Sequence, residues 1–276
     1  MATTLALRRL SRRLRDLRIA SGHTTADPER AKICSRRALA RYEAGAVAPS
    51  WPTVVALAEL YEAPMSLRNQ LKTLAMRADE KDWQDKLKGA APPEFSLLPE
   101  LEADATAIDV YEPELVNGLF QTAEYGHAVL AASPLIQPER RSVAAALRSH
   151  RRERISGDDA PSIRLLLTDG AVRRRIGGKE IHRDQLASLR ADAHRRNIAV
   201  RYLPDDAGAY GAFLGPFKIL RFTDPLDPAV VYTETLQAAS YLEGAETVDG
   251  YSRAFLSAWR IGVDIDEHPS MAEVDT

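Results

Sequence analysis

The stretch CSRRALARYEAGAVAPSWPTV, residues 34–54, carries a helix stop signal and a helix start signal only a few residues apart. Ser35 suits the N-cap of a helix over RRALARYEA, and Gly45 suits its C-terminal end. Ser50 suits the N-cap of the next helix, and the first turn of that helix tolerates Pro52. The stretch therefore predicts two short helices joined by a tight turn, with arginines on the outer face of the first.

The sequence before this stretch predicts two more helices. In LALRRLSRRLRDLRIA, residues 5–20, leucines recur at largely helical spacing with arginines between them, which is typical of an amphipathic helix. Gly22 ends this helix, and Thr24 or Thr25 suits the N-cap of a short second helix. Together these signals predict a compact helical bundle over residues 1–64.

A second, mixed domain follows the bundle. Residues 65–94 read as a helical linker that the proline-containing stretch APPEF breaks near its end. Residues 95–263 predict an α+β domain with a small mixed sheet, and residues 264–276 predict a disordered tail. The fold class is therefore a mainly α N-terminal bundle followed by an α+β domain.

Within the second domain, residues 98–132 read as two helices separated by a turn at Asn117 and Gly118. Four short apolar runs read as strands: SIRLLLTD, IAVRYLP, FKILRF and AVVYTE. Helical patterns separate the first two of these runs and follow the last.

The charge of the chain is unevenly distributed. Residues 1–64 hold 11 Lys and Arg against 6 Asp and Glu, whereas the remaining residues hold 26 against 33. A basic module followed by an acidic domain suits binding of a polyanion such as DNA through the N-terminal part. No run of 18 apolar residues exists to span a bilayer, and the single cysteine, Cys34, excludes an internal disulfide. These features predict a cytoplasmic protein that is not bound to a membrane.

No catalytic constellation stands out. The six histidines form no HExxH pattern, and IGGKE lacks the residues of a phosphate-binding loop. The acidic pairs Asp158–Asp159 and Asp205–Asp206 lie in turn-like segments, where aspartate is favoured for backbone reasons. We therefore expect no enzyme activity, no metal site and no cofactor.

The N-terminal helices resemble the DNA-binding domain of lambda-repressor and Cro-like proteins, a helix-turn-helix fold in which SRRALARYEAG corresponds to the recognition helix. The resemblance implies that Ser35 holds a phosphate and that Arg36, Arg37 and Arg41 point at base edges. Thr25 belongs to the same implied DNA-binding surface. The alternative is an ordinary surface helix with solvated arginines.

Helix 2 departs from the family pattern. Glu29 and Pro28 stand where the family usually has a small alanine and an apolar residue, Ile33 replaces the usual turn glycine, and Lys32 occupies a usually apolar position. These departures leave open a second interpretation, in which the chain is a partner-binding scaffold with a degenerate DNA-binding domain.

The rest of the chain resembles the C-terminal domain of actinobacterial antitoxin-like transcriptional regulators. The resemblance rests on LEADATAIDVYEPELVNGLFQTAEYGHAVL, GAVRRRIGGKEIHRDQLASL, GAFLGPFKILRF and VVYTETLQAASYLE. It implies a homodimeric regulator whose C-terminal domain binds a small protein encoded nearby. Leu119, Phe120 and Tyr125 are candidate anchors for that partner, with a place in the core as the alternative. A small-molecule-binding or enzymatic C-terminal domain is the other interpretation.

A basic run in the C-terminal domain has two interpretations. Arg148, Arg151, Arg152 and Arg154 recur on one stretch of predicted helix. They predict either a solvated helix face or a second contact to nucleic acid.

Overall fold

The computed structural model describes residues 5–79, 97–134, 136–153, 155–157, 160–212, 215–223, 227–235 and 238–274. The chain divides into two units, residues 1–88 and residues 89–276. The first is helical and the second is α+β with a mixed sheet, which confirms the predicted fold class.

The described part of the N-terminal unit is a bundle of helices around one core. Its helices are α1 (Leu5–Ala20), α2 (Asp27–Arg30), α3 (Arg36–Glu43), α4 (Trp51–Leu60) and α5 (Met65–Asp79). The apolar stripe of each long helix faces the others, as the helical spacing of leucines requires. The buried core residues are Leu10, Leu14, Leu39, Val54, Leu57, Ala58, Tyr61, Ala63, Leu71 and Ala75.

Helix α5 belongs to this bundle. The prediction that residues 65–94 form a linker is therefore wrong for residues 65–79, because Leu71 and Ala75 bury in the same core as α1 and α4. Residues 80–94 lie outside the described part of the chain. A helical linker and a packed helix have the same helical periodicity in sequence. Only the burial of the apolar side chains of α5 distinguishes the two.

Helices α1 to α4 all end in the same hydrogen-bond pattern, the Schellman motif. In α2, for example, the amide of Lys32 donates to the carbonyl of Glu29 at 3.0 Å, and the amide of Ile33 donates to that of Pro28 at 2.9 Å. The motif needs one residue with a left-handed backbone just after the helix. In chain order these residues are Gly22, Lys32, Gly45 and Glu62, with φ values of 74°, 57°, 66° and 57°.

The C-terminal unit contains both helices and strands. Its helices are α6 (Leu98–Asp104), α7 (Ala123–Ala132), α8 (Arg141–Glu153), α9 (Asp169–Arg173), α10 (Lys179–Ala193) and α11 (Ala245–Ile261). Its strands are β1 (Ala107–Glu112), β2 (Ser162–Thr168), β3 (Ile198–Leu203), β4 (Phe217–Arg221), β5 (Val230–Glu234), β6 (Ala239–Leu242) and β7 (Val263–Asp264).

These strands form one sheet in the order β6-β5-β4-β1-β2-β3-β7. Strands β1, β2 and β3 are parallel, and the connections between them contain helices, as parallel pairs require. Strands β4, β5 and β6 extend the sheet in antiparallel fashion from β1, and β7 pairs antiparallel with β3. The four predicted strands are β2 to β5, so the sheet is larger than the small one that the sequence predicts.

The missed strand β1 lies in the middle of the sheet. The prediction of two helices over residues 98–132 is wrong between α6 and α7, where Ile108, Val110 and Tyr111 are buried in a strand. Strands that are buried on both faces show no polar alternation, and this removes the usual sequence signal of a strand. One face of the sheet packs against Phe255 and Ala258 of α11.

The predicted disordered tail is also wrong as far as residue 274. Short 3-10 helices cover residues 265–267 and 269–273, and Ile265, His268 and Met271 are buried. The Nε2 of His268 lies 2.9 Å from a carboxylate oxygen of Asp169. Because the segment is mostly polar, its sequence does not indicate that these side chains are buried.

Candidate nucleic-acid interface

Helix α3 presents one buried face and one exposed arginine face. Its N-cap is Ser35, whose Oγ accepts a hydrogen bond from the amide of Ala38 at 3.2 Å. Leu39 is fully buried in the bundle core, and this fixes the rotation of the helix. The side chains of Arg36, Arg37 and Arg41 are consequently exposed, as the sequence predicts.

The turn between α2 and α3 corrects the alignment of the sequence with the family pattern. Lys32, and not Ile33, has the left-handed backbone that the turn requires, so the prediction that Ile33 takes the place of the turn glycine is wrong by one residue. Ile33 instead packs against the bundle core, and Lys32 is exposed. Pro28 is buried at the start of α2, where its missing amide donor costs little.

Side-chain hydrogen bonds order the turn before α2, but the predicted N-cap at Thr24 or Thr25 is wrong, because the N-cap of α2 is Ala26, which makes no side-chain cap hydrogen bond. The amide of Thr24 donates to the carboxylate of Asp27 at 2.6 Å, and the amide of Ala26 donates to Oγ1 of Thr24 at 3.3 Å. The backbone hydrogen bond from Thr24 lowers the pKa of Asp27, with smaller contributions from the Thr24 hydroxyl and Arg30. Thr25 itself is exposed beside this turn.

A nearly buried ion pair connects α1 to α3. Arg18 donates to both carboxylate oxygens of Glu43, from Nε at 2.7 Å and from Nη2 at 2.9 Å. This hydrogen bonding raises the pKa of Arg18 against the opposing effect of burial. Two parallel bonds from a planar guanidinium fix direction as well as distance, so the pair holds the C-terminal turn of α3 against α1.

The exposed surface around α3 is predominantly cationic, and Glu29 places a carboxylate on it. Glu29 Oε2 lies 3.1 Å from Nε of Arg36, and both side chains are largely exposed. Arg37 and Arg41 form no ion pair within the described part of the chain. An exposed helix with free guanidinium groups suits a polyanionic ligand, because each neutralised phosphate releases counterions.

The predicted partner anchors in the C-terminal domain are core residues. Leu119, Phe120 and Tyr125 are each 0–1% exposed, so the prediction that they anchor a partner is wrong. The hydroxyl of Tyr125 accepts from the amide of Val116 at 3.2 Å, and the carbonyl of Phe120 accepts from Gln185 at 2.8 Å. The alternative left open by the sequence, a place in the core, is the correct one.

Three arginines of α8 also point into the protein. Arg151 donates to Glu102 at 2.7 and 2.9 Å, Arg152 contacts Asp192 at 2.8 Å, and Arg148 donates to the side chain of Gln121 at 2.9 Å. For these three residues, both a solvated helix face and a second nucleic-acid contact are wrong. Arg154 lies outside the described residues.

Glu102 is the centre of a buried charge cluster. Burial alone would raise the pKa of Glu102, but Arg151 and Lys218 outweigh burial and hold the pKa at about 2. Lys218 Nζ lies 2.8 Å from Glu102, and both side chains are almost fully buried. Nearby, burial raises the pKa of Glu112 to about 7, and Glu112 accepts from Asn117 at 2.6 Å. No sequence signal paired Glu102 with Lys218, because 116 positions separate them.

Neither a candidate metal site nor a candidate membrane-spanning helix is found in the described part of the chain. No group of three or more His, Cys, Asp and Glu side chains among the described residues could hold a metal ion. None of the helices in the described ranges has the length and apolar character needed to cross a bilayer.

A serine-capped helix with exposed arginines, preceded by a short helix and a tight turn, defines a helix-turn-helix DNA-binding domain. Residues 9–71 match the model of a helix-turn-helix domain, so the chain has the module of a DNA-binding regulator. Residues 95–268 match a second model, described as a domain of unknown function, DUF5753, and the chain belongs to that family. No curated protein and no solved structure matches the chain.

Proposed function

We propose that the protein is an antitoxin-like transcriptional regulator that binds double-stranded DNA as a homodimer in the cytoplasm. In this proposal Arg36, Arg37 and Arg41 read bases, while Thr25 and Ser35 contact the DNA backbone. The observation that supports it best is α3, whose cap and buried leucine turn three arginines outward together. Pairing of two half-sites about one helical turn apart is the usual arrangement for this fold and supports the homodimer.

The structure of helix 2 favours DNA binding over a degenerate scaffold. Two of its departures from the family pattern, at Lys32 and Ile33, are explained once Lys32 is the turn residue, because Ile33 then supplies a packed apolar side chain. Glu29 is the departure that still supports the scaffold alternative, since a carboxylate beside Arg36 opposes contact with phosphates.

Selection of preferred sites from a random duplex pool, followed by titration of Arg37→Ala, tests the assignment. A bidentate arginine–guanine contact is worth about 1–3 kcal/mol, so Arg37→Ala should weaken the selected site roughly 5- to 150-fold and relax preference at one position. Arg253→Ala removes an exposed arginine of the C-terminal unit and is the control. Absence of DNA binding by the folded wild type would favour the scaffold.

We also propose that the C-terminal domain is regulatory and binds a small protein partner or effector, with no catalytic role. Its excess of acidic residues disfavours a second DNA surface, and the resemblance to antitoxin-like regulators supports a small partner. Such binding should change DNA affinity by about 1–3 kcal/mol, and DNA should change partner affinity equally.

A pull-down with the full chain, followed by titration of the captured protein against the DNA complex, tests this part. A captured small protein that leaves DNA affinity unchanged contradicts a regulatory contact. Capture of no protein, together with a small molecule retained by the purified chain, would favour ligand sensing or an enzymatic domain.

A further inference from the structure

The three exposed arginines of α3 are not equivalent. Arg36 is paired through Nε with Glu29 at 3.1 Å, whereas Arg37 and Arg41 form no ion pair among the described residues. Glu29 lies on α2 and Arg36 is the first residue of α3, so the pair bridges the two helices of the motif. A carboxylate is an unusual group on a surface that must approach phosphates.

The chemistry of the pair suggests what the carboxylate does. An arginine side chain has about 2 kcal/mol of rotamer entropy, and a carboxylate 3.1 Å from Nε favours a subset of those rotamers before any ligand arrives. Arginine has four further N–H donors on its terminal nitrogens, and two of them suffice for O6 and N7 of guanine. The carboxylate beside Nε therefore favours orientations of the guanidinium that keep the two charges together, and it leaves the terminal N–H donors for base recognition.

The same pair weakens contact with phosphate. Non-specific binding depends on the number of phosphates that cations neutralise, and the carboxylate of Glu29 already neutralises Arg36. An exposed ion pair in water is worth little to stability, so its effect on folding is small. Its effect on DNA binding is larger. It removes one cation from non-specific binding to phosphates and keeps that cation available to a base edge.

We propose that Glu29 is a specificity-determining positioning residue, which holds Arg36 for base contact and withholds it from the phosphate backbone. This inference rests on the proposed DNA-binding function. It predicts that loss of the Glu29 charge increases affinity for random DNA more than affinity for the preferred site. The ratio of the two affinities should therefore fall.

The test uses the full chain, a duplex selected by the wild type and a scrambled duplex of equal length. At each salt concentration between 50 and 200 mM, Glu29→Gln should tighten binding to the scrambled duplex by about threefold or more. The slope of log affinity against log salt concentration should become steeper by about 0.9. Preference at the base read by Arg36 should relax. Glu62→Gln removes an exposed carboxylate from the same domain and is the matched control for overall charge.

The same substitution in the Arg36→Ala variant tests whether Glu29 acts through Arg36. If Glu29 acts through Arg36, then Glu29→Gln should have no further effect on the affinity ratio in Arg36→Ala. The inference is overturned by an equal response to Glu62→Gln, by an unchanged affinity ratio, or by an effect that persists without Arg36. It also fails, together with the proposed function, if the folded wild type binds neither duplex. An unchanged ratio with tight wild-type binding overturns this inference alone.

Discussion

The polar residues of the C-terminal domain lie in different environments from those their sequence suggests. Arg151 and Lys218 lie against Glu102 inside the domain, where removal of one partner leaves an uncompensated buried charge. Glu112 is close to this cluster, but its carboxylate accepts a hydrogen bond from the neutral amide of Asn117. The two glutamates therefore have opposite pKa shifts, which gives each a distinct effect on stability.

Glu112 should make the domain less stable as the pH rises. Burial raises its pKa to about 7 from 4.5, so the folded state binds the proton more tightly than the unfolded state. Its stabilising contribution is complete below about pH 4.5 and is lost as the pH rises through about 7. Glu112→Gln keeps an acceptor for Asn117, so it should gain about 1–3 kcal/mol over wild type at pH 8 and little at pH 5.

Urea denaturation of both proteins between pH 5 and pH 8 measures this difference. Glu114→Gln removes an exposed carboxylate two residues away and controls for the change in net charge. A gain for Glu112→Gln that is the same at every pH would contradict the assignment.

At the scale of elements, local signals predicted the structure where the contacts themselves are local. The caps at Ser35 and the stop at Gly45 lie within a few residues of the bonds that they make, so α3 follows from its own sequence. Strand β1 does not, because its pairing with β2 and β4 joins segments some 55 and 112 residues away. Asp109 illustrates the difference: it looks like a polar interruption and is in fact buried against Arg164 and Arg221.

The same limit applies to the candidate sites. The exposed face of α3 follows from one buried leucine and the helical period, so the sequence could place Arg36, Arg37 and Arg41. Phe120 and Tyr125 had no such constraint, because an apolar side chain has the same sequence signal in a core and in an interface. The pair between Glu29 and Arg36 joins two helices through a turn, and no helical period predicts it.

The four helix ends of the bundle allow a matched experiment on backbone strain. Lys32 and Glu62 have the same left-handed position that Gly22 fills elsewhere, and a side chain there costs about 1–2 kcal/mol. Replacement by glycine removes this cost, but glycine also increases the conformational entropy of the unfolded chain, which offsets part of the gain. Lys32→Gly and Glu62→Gly should each stabilise the bundle by about 0.5–1 kcal/mol.

Gly22→Ala is the reciprocal variant. Apart from its two chain neighbours, no described residue has an atom within 4 Å of a Cβ at Gly22, so the effect of this variant reports the backbone alone. It should destabilise the bundle by about 1 kcal/mol. Calorimetric melting of the full chain measures all three variants, and destabilisation by Lys32→Gly would show that its side chain makes a contact worth more than the strain.

For the whole molecule, the charge asymmetry and the division into units coincide. The basic excess falls in the helix-turn-helix unit and the acidic excess in the DUF5753 unit, as the proposed separation of DNA binding from regulation requires. Each unit also has its own buried apolar cluster, around Leu57 in the first and around Ile219 in the second. Units with separate cores are expected to unfold as separate cooperative transitions.

Two core substitutions test this expectation in the full chain. Leu57 and Leu165 are both fully buried, and truncation of a buried leucine to alanine costs about 2–5 kcal/mol. Leu57→Ala should lower the melting temperature of one calorimetric transition, and Leu165→Ala should lower that of the other. A duplex carrying the preferred site should raise only the transition that Leu57→Ala lowers, because a ligand stabilises the unit that binds it. A single transition that both substitutions shift equally would contradict independent folding and would require that the regulatory and DNA-binding units unfold as one.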